Sequence, residues 1–271
     1  MPKSKLKNLI ILILAAVCLF LLILVVPTRL EALHAQQESF RALQEVFHGD
    51  GVALDFENLP RPEKLYSRAS QFEAAEKDRF AAALLGEQVL KTDELYRSHY
   101  RSKLGSCDVG LDGSCRCTLL ERPEAADEMG FVTSFLQRIG YAYFSVRRSE
   151  AGGSVVLHAV SAADGFPVLR DFLDFEFEGG KLASVSGHLI PQGSGTRLSR
   201  AACCSAQDAL IAFRAGYAAS GFSGTRIYKL QQGYYLPGIG SDVTLQPAWQ
   251  IETDAGQYLV DGITKNIIPL G

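Results

Sequence analysis

Residues 141–190 read YAYFSVRRSEAGGSVVLHAVSAADGFPVLRDFLDFEFEGGKLASVSGHLI, and the reading of this stretch decides the fold. Four strand-like runs, Tyr141 to Arg147, Val155 to Val160, Val168 to Phe177 and Leu182 to Ile190, are separated by Gly152-Gly153, Asp164-Gly165 and Gly179-Gly180. Such pairs supply the positive-φ residues of tight hairpins, so the runs predict an antiparallel meander. Asp171, Asp174, Glu176 and Glu178 alternate with Phe172, Leu173, Phe175 and Phe177, which reads as a solvated face opposite a buried one.

Working outward, Pro123 and Glu124 open a helix in front of the meander, with Pro at the first helical position and acids at the positive end of the dipole. Its apolar stripe is Phe131, Val132, Phe135, Leu136 and Ile139, and Gly140 ends it. The same order recurs downstream. Ser205, with Asp208 three residues on, opens a helix carrying Ala209, Leu210, Phe213 and Tyr217, closed by Gly221. Strands over Arg226 to Tyr235, Ala248 to Thr253 and Gln257 to Val260 follow. Upstream, Ser70 to Leu90 predicts a helix with Phe72, Ala75, Phe80, Ala83 and Leu84 on one side. Tyr96 to Leu104 and Cys115 to Leu120 predict two strands joined by a loop containing Asp112-Gly113.

The N-terminus is of another kind. Lys3, Lys5 and Lys7 precede an unbroken apolar run of 18 residues from Leu9 to Val26 that includes Leu14 and Phe20. At about 1.5 Å per residue this run spans roughly one hydrocarbon thickness. It is longer than a signal-peptide core, and no small-x-small cleavage pattern follows it, so it predicts an uncleaved anchor. The lysines place the N-terminus in the cytoplasm and the rest outside. Residues 27–271 hold all 30 acids and 24 of the 27 basic residues, a formal charge of −6. That balance disfavours nucleic-acid binding of the basic-patch kind. A single span disfavours a polytopic transporter, and the apolar and aromatic content excludes wholesale disorder.

The expected organisation is α+β: a cytoplasmic start (1–8), a transmembrane helix (9–26), a stalk (27–50), a first extracytoplasmic region (51–190), a linker (191–201) and a second unit (202–271). Each of the tandem units would be a helix packed on an antiparallel β-meander.

Chemistry-bearing residues are sparse. Cys107, Cys115 and Cys117 cluster in a Gly/Ser/Asp segment and Cys203-Cys204 precede a helix. A disulfide within the first cluster, free thiols and a structural metal remain three readings, although C-x7-C-x-C is not a standard zinc spacing. The five histidines are scattered, and neither a P-loop nor G-x-S-x-G occurs. No catalytic residue, metal ligand, cofactor or small-molecule substrate is expected. Trp249, the only tryptophan, reads first as a core anchor, and Tyr234 and Tyr235 read first as packing. A partner interface formed by Tyr234, Tyr235 and Trp249 is the sharper alternative.

Two stretches carry a resemblance. One runs from Val155-Val156-Leu157-His158-Ala159-Val160 through Asp164-Gly165-Phe166-Pro167-Val168 to Gly179-Gly180-Lys181-Leu182 and Ser186-Gly187. The other holds Gly233-Tyr234-Tyr235, then Pro247-Ala248-Trp249-Gln250-Ile251, then Gly256-Gln257-Tyr258-Leu259-Val260-Asp261. With the single span, the chain resembles the YycH/YycI-type regulatory proteins, closer to the YycI side, and its end resembles PEPSY-like modules. The cysteines depart from the family pattern. The resemblance implies a membrane-anchored regulator, not an enzyme, that binds a membrane sensor histidine kinase controlling cell-wall metabolism, alongside a sister regulatory protein. The PEPSY-like alternative is an extracytoplasmic protease inhibitor or folding helper.

Overall fold

The computed structural model describes residues 11–17, 19–20, 37–193, 195–217, 221–237 and 243–268. Among them the fold is mixed α/β, with a large, mainly antiparallel array of strands and few helices.

Two sheets make up the array. The first is antiparallel throughout, in the order β3 (Leu90–Asp93), β4 (Arg97–Ser102), β5 (Gly105–Gly110), β6 (Ser114–Leu119), β10 (Lys181–His188), β9 (Phe166–Glu178), β8 (Ser154–Ala163), β7 (Tyr143–Ala151). Helices α2 (Ala74–Leu85) and α3 (Glu128–Arg138) cover one face. Beneath them, Phe80, Phe135 and Phe175 pack edge to face, with centroids 6.1 and 5.6 Å apart, among Leu136, Leu157, Leu173, Phe177 and Val185. The alternation in β9 places Leu173, Phe175 and Phe177 in this core and Asp174 and Glu176 on the helix-free face.

The second unit takes residues from both ends of the chain. Its strands are β1 (Ala53–Leu54), β12 (Arg226–Tyr235), β13 (Val243–Thr253), β14 (Gly256–Asp261) and β15 (Ile267–Ile268), while β2 (Tyr66–Ser70) and β11 (Thr196–Ala202) extend from the start of β13. Helix α4 (Ala206–Ala215) and a helical stretch over residues 37–49, here α1, cover one side. Phe40, Leu43 and Phe47 of α1 are buried in the same cluster as Phe213, Trp249 and Ile251. Asp50 and Arg214 form an ion pair that ties the ends of α1 and α4 together.

Several expectations change here. The segment expected as a stalk is, over 37–49, a core helix, because its apolar residues lie on one face and dock under α4. Residues 51–70 pack with the second unit rather than the first, and the last part of the expected linker is β11, paired to β2. Helix α3 begins at Glu128, not Pro123: Asp127 accepts a hydrogen bond from the Gly130 N–H at 3.0 Å, and the Pro123 carbonyl accepts from Leu182 instead. Helix α4 is capped by Ser205 as expected but ends at Gly216. Gly105–Gly110, expected as part of a loop, form strand β5, so Cys107 lies on a strand.

Pro247 sits inside β13, which a central strand normally forbids. One edge of β13 pairs with β12 along most of its length; on the other edge β2 ends at Leu245 and β14 begins at Ala248. The proline falls in that gap, where no ladder N–H is needed.

Residues 11–17, 19 and 20 are helical, and Leu14 and Phe20 are exposed. Leu9 and Val26 lie outside the described residues, as do much of the expected span and residues 27–36 of the expected stalk. Among the described residues no helix is long and apolar enough to cross a membrane.

Candidate functional site

The two units meet at β9. Between Pro167 and Phe172 this strand bulges: β8 advances only from Ala162 to Val160 over the same interval. The bulge turns Val168 toward Tyr234 of β12 in a single parallel bridge. Gly233 allows that approach, since a Cβ there would lie 2.5 Å from the Pro167 carbonyl oxygen. Arg170, within the bulge, is held at φ +68°, a left-handed conformation costly for a residue with a Cβ. Asp171 beside it is largely buried; burial raises its pKa, and the charges of His188, 3.4 Å away, and of Arg170 oppose the rise.

On the side away from the helices, the bulge borders a cleft lined by Phe144, Arg147, Val160, Pro167, Leu169, Arg170, Phe172, Gln231, Gln250 and Gln257. Alternation explains the lining. In β13, Trp249 and Ile251 point to the α4 core, so Ala248 and Gln250 point the other way, against Leu169 and Leu259. Gln231 stands directly opposite Gln250. From the first sheet, Arg147, Val160 and Phe172 project from the helix-free face.

Polar groups in this cleft lack partners. Gln250 is 6% exposed as a whole residue, and its side-chain amide, which makes no hydrogen bond to the described residues, keeps access to water through the cleft. The guanidiniums of Arg147 and Arg170 are exposed and take part in none of the ion pairs among the described residues. Nearby acids are engaged elsewhere: Glu252 with Lys229 at 3.1 Å, Asp174 with His158 at 2.7 Å, and Asp171 with His188. The cleft is therefore locally cationic in an acidic chain.

The helix-free face of the first sheet continues away from the cleft as a row of cross-strand partners: Arg147, His158, Asp174, Ser186, Arg116, Asp108, His99 and Thr92. Within it, Ser149 Oγ lies 2.7 Å from His158 Nε2, and His158 Nδ1 lies 2.7 Å from Asp174 Oδ1. This has the connectivity of a nucleophilic relay. All three groups are open to water, however, and they lie beside the cleft rather than in its lining. Ladders of alternating polar pairs also stabilise an exposed sheet face without any catalysis. His99 is similarly held between Asp108 at 2.7 Å and Glu94 at 3.3 Å, which raises its pKa.

The residues singled out from sequence lie elsewhere. Trp249 is fully buried and donates from Nε1 to the Cys204 carbonyl at 2.9 Å; Tyr234 is 1% exposed. Half-buried Tyr235 donates to Asp261 at 2.8 Å. Trp249 and Tyr234 are interior groups, while Tyr235 keeps part of its surface open. Cys107 and Cys117 face each other across β5 and β6 and are joined by a disulfide. Cys115 is a free thiol pointing into the first core, where burial pushes its pKa to about 12. Among the described residues no group of His, Cys, Asp and Glu has the makings of a metal site.

Neither the cleft arginines nor the glutamines stood out in the sequence. Gln250 had the alternation of a solvated strand position, and only the neighbouring sheet makes it an interior one.

No family model matches the chain, and no curated protein matches it. Among solved structures, an uncharacterized protein from Eubacterium rectale is similar over 81% of this chain and 90% of its own, at 9% identity and a TM-score of 0.48. The C-terminal domain of Bacillus megaterium YpeB is similar over 74% of this chain and 99% of its own, at 8% identity and a TM-score of 0.37. At these values neither likeness assigns a family or a function.

Proposed function

We propose that this chain is a membrane-tethered extracytoplasmic binding protein that acts by non-covalent contact, its working surface being the helix-free side where the two units meet. The observation that carries this reading is the Gln250 amide, open to a cleft and bonded to no described residue, beside the exposed guanidiniums of Arg147 and Arg170. The tether is the lysine-flanked run from Leu9 to Val26. In the finer version, which rests on the YycI-like residues, the partner is a membrane sensor kinase and a sister regulator shares the complex. The helix-covered, mainly antiparallel sheets support the PEPSY-like alternative, in which the bound partner is an extracytoplasmic protease or folding client.

The test is photo-cross-linking in intact cells from a benzoylphenylalanine placed at Gln257, on the cleft rim. Transfer to a membrane protein, lost when residues 9–26 are deleted, is the expected result. A sensor kinase as the product selects the finer version, and a protease selects the alternative. Labelling of Ser149 by a fluorophosphonate would instead show a working nucleophile and overturn the non-catalytic reading.

A further inference from the structure

We infer that the cleft is a carboxylate-binding site, with Arg147, Arg170 and Gln250 as its donors. This rests on the binding-protein reading above and names the chemistry of its contact. Three independent features lead to it.

The first is charge. Two exposed guanidiniums border one small opening: Arg147 forms no ion pair among the described residues, Arg170 stands beside Asp171, and Asp174 and Glu252 are held by His158 and Lys229. A planar guanidinium presents paired N–H groups that match the two oxygens of a carboxylate. The second is the amide of Gln250. It carries two N–H donors with no acceptor among the described residues, is open to the cleft, and its face of β13 is the cleft's inner wall. The third is strain. Arg170 occupies a left-handed conformation that glycine would adopt without cost, so a stability requirement alone would not place arginine there.

The lining narrows the ligand. The cleft is small and open to solvent, and it sets two guanidiniums and side-chain amides beside aromatic rings. Phe144 and Phe172 at the mouth offer apolar contact for what the carboxylate is attached to. The occupant is thus the carboxylate of a peptide, supplied either by an acidic side chain or by a C-terminus.

The experiment uses the full-length chain in detergent and three peptides: acetyl-Val-Glu-Val-amide, acetyl-Val-Val-Val with a free C-terminus, and acetyl-Val-Gln-Val-amide. Binding is read by thermophoresis. At least one carboxylate peptide is expected to bind at least tenfold more tightly than the glutamine peptide, and the better of the two identifies the source. Arg147→Gln with Arg170→Gln should remove that preference. Arg170→Gly separates function from folding: it should weaken carboxylate binding at least fivefold while raising the melting temperature by about 2–4 °C through relief of strain.

Equal binding of all three peptides, or unchanged preference in the double variant, overturns the carboxylate assignment. So does a lower melting temperature for Arg170→Gly, which would make the arginine structural. If the cross-link from Gln257 survives in the double variant, the binding-protein reading stands and only the carboxylate assignment falls. Loss of the wild-type cross-link itself would be the failure of the broader reading.

Discussion

Replacing Trp249 by Phe tests whether the sole tryptophan is a structural anchor. The indole is fully buried, and its N–H reaches the carbonyl of half-buried Cys204 at 2.9 Å. Phenylalanine keeps most of the ring but removes the donor. Leaving that carbonyl unpaired costs about 1 kcal/mol, the low end of the usual range because Cys204 is not wholly enclosed. The lost pyrrole portion leaves a void of roughly 40 Å³, which at about 24 cal/mol per Å³ adds ~1 kcal/mol. The expected loss is therefore about 2 kcal/mol for Trp249→Phe, and about 3–5 kcal/mol for Trp249→Ala. Urea unfolding followed by far-ultraviolet circular dichroism measures it as a shift of midpoint at constant slope. Because the chain has one tryptophan, wild-type fluorescence reports this site alone and should be blue-shifted and resistant to acrylamide. A loss below about 0.5 kcal/mol, as for surface substitutions, together with quenching like free indole, would refute the buried placement and return Trp249 to the surface.

Other outcomes follow from single contacts. Gly187 in β10 has φ +128°, and a Cβ there would lie 1.9 Å from the Phe172 carbonyl oxygen, so Gly187→Ala should cost at least about 2 kcal/mol in the same assay. Gly193→Ala, with nothing within 4 Å, is the near-neutral control. For His99, the hydrogen bonds to Asp108 and then Glu94 raise the pKa in the folded state. Its contribution is therefore complete below the ordinary histidine value of about 6.5 and fades as pH rises through the folded value. His99→Gln should destabilise more at about pH 5.5 than at about pH 8.5, and an equal effect at both would contradict the pairing. Alkylation of the native chain followed by mass spectrometry should leave Cys115 unmodified until denaturant is added, since burial both encloses the thiol and holds its pKa near 12. Cys107 and Cys117 should react only after reduction.

Legibility in the sequence followed the range of the physics involved. The meander of 141–190 was readable because glycine pairs and alternation act within a few residues of each other. Helices α3 and α4 were readable from their stripes, though their ends moved by several residues where a better cap or a competing strand contact stood nearby. Strand β5 was missed because Gly105, Ser106, Cys107, Asp108 and Gly110 look like turn residues, and only pairing on both sides with β4 and β6 makes them extended. The packing of residues 37–50, which read as a stalk, and of 51–70, which read with the first region, is not legible because their partners lie beyond residue 190. The cleft was illegible for a related reason: each lining residue sits on an ordinary strand, and the site exists only where two faces converge on the bulge of β9.

The packing of α1, β1 and β2 against α4 and β12–β14 makes the first unit an insertion within the second. During synthesis the chain emerges from its N-terminal end, so Phe40, Leu43 and Phe47 leave the ribosome long before Phe213, Trp249 and Ile251 exist to cover them. The inserted unit, complete once Leu189 is out, can form its core in the meantime. Its closure brings Ser70 and Gln192 near one another through Phe72 and Glu76, shortening the loop that the outer unit must close. Holding the early apolar segment until the last strands arrive then becomes a matter of timing, and a chaperone is the kind of partner that would shelter it.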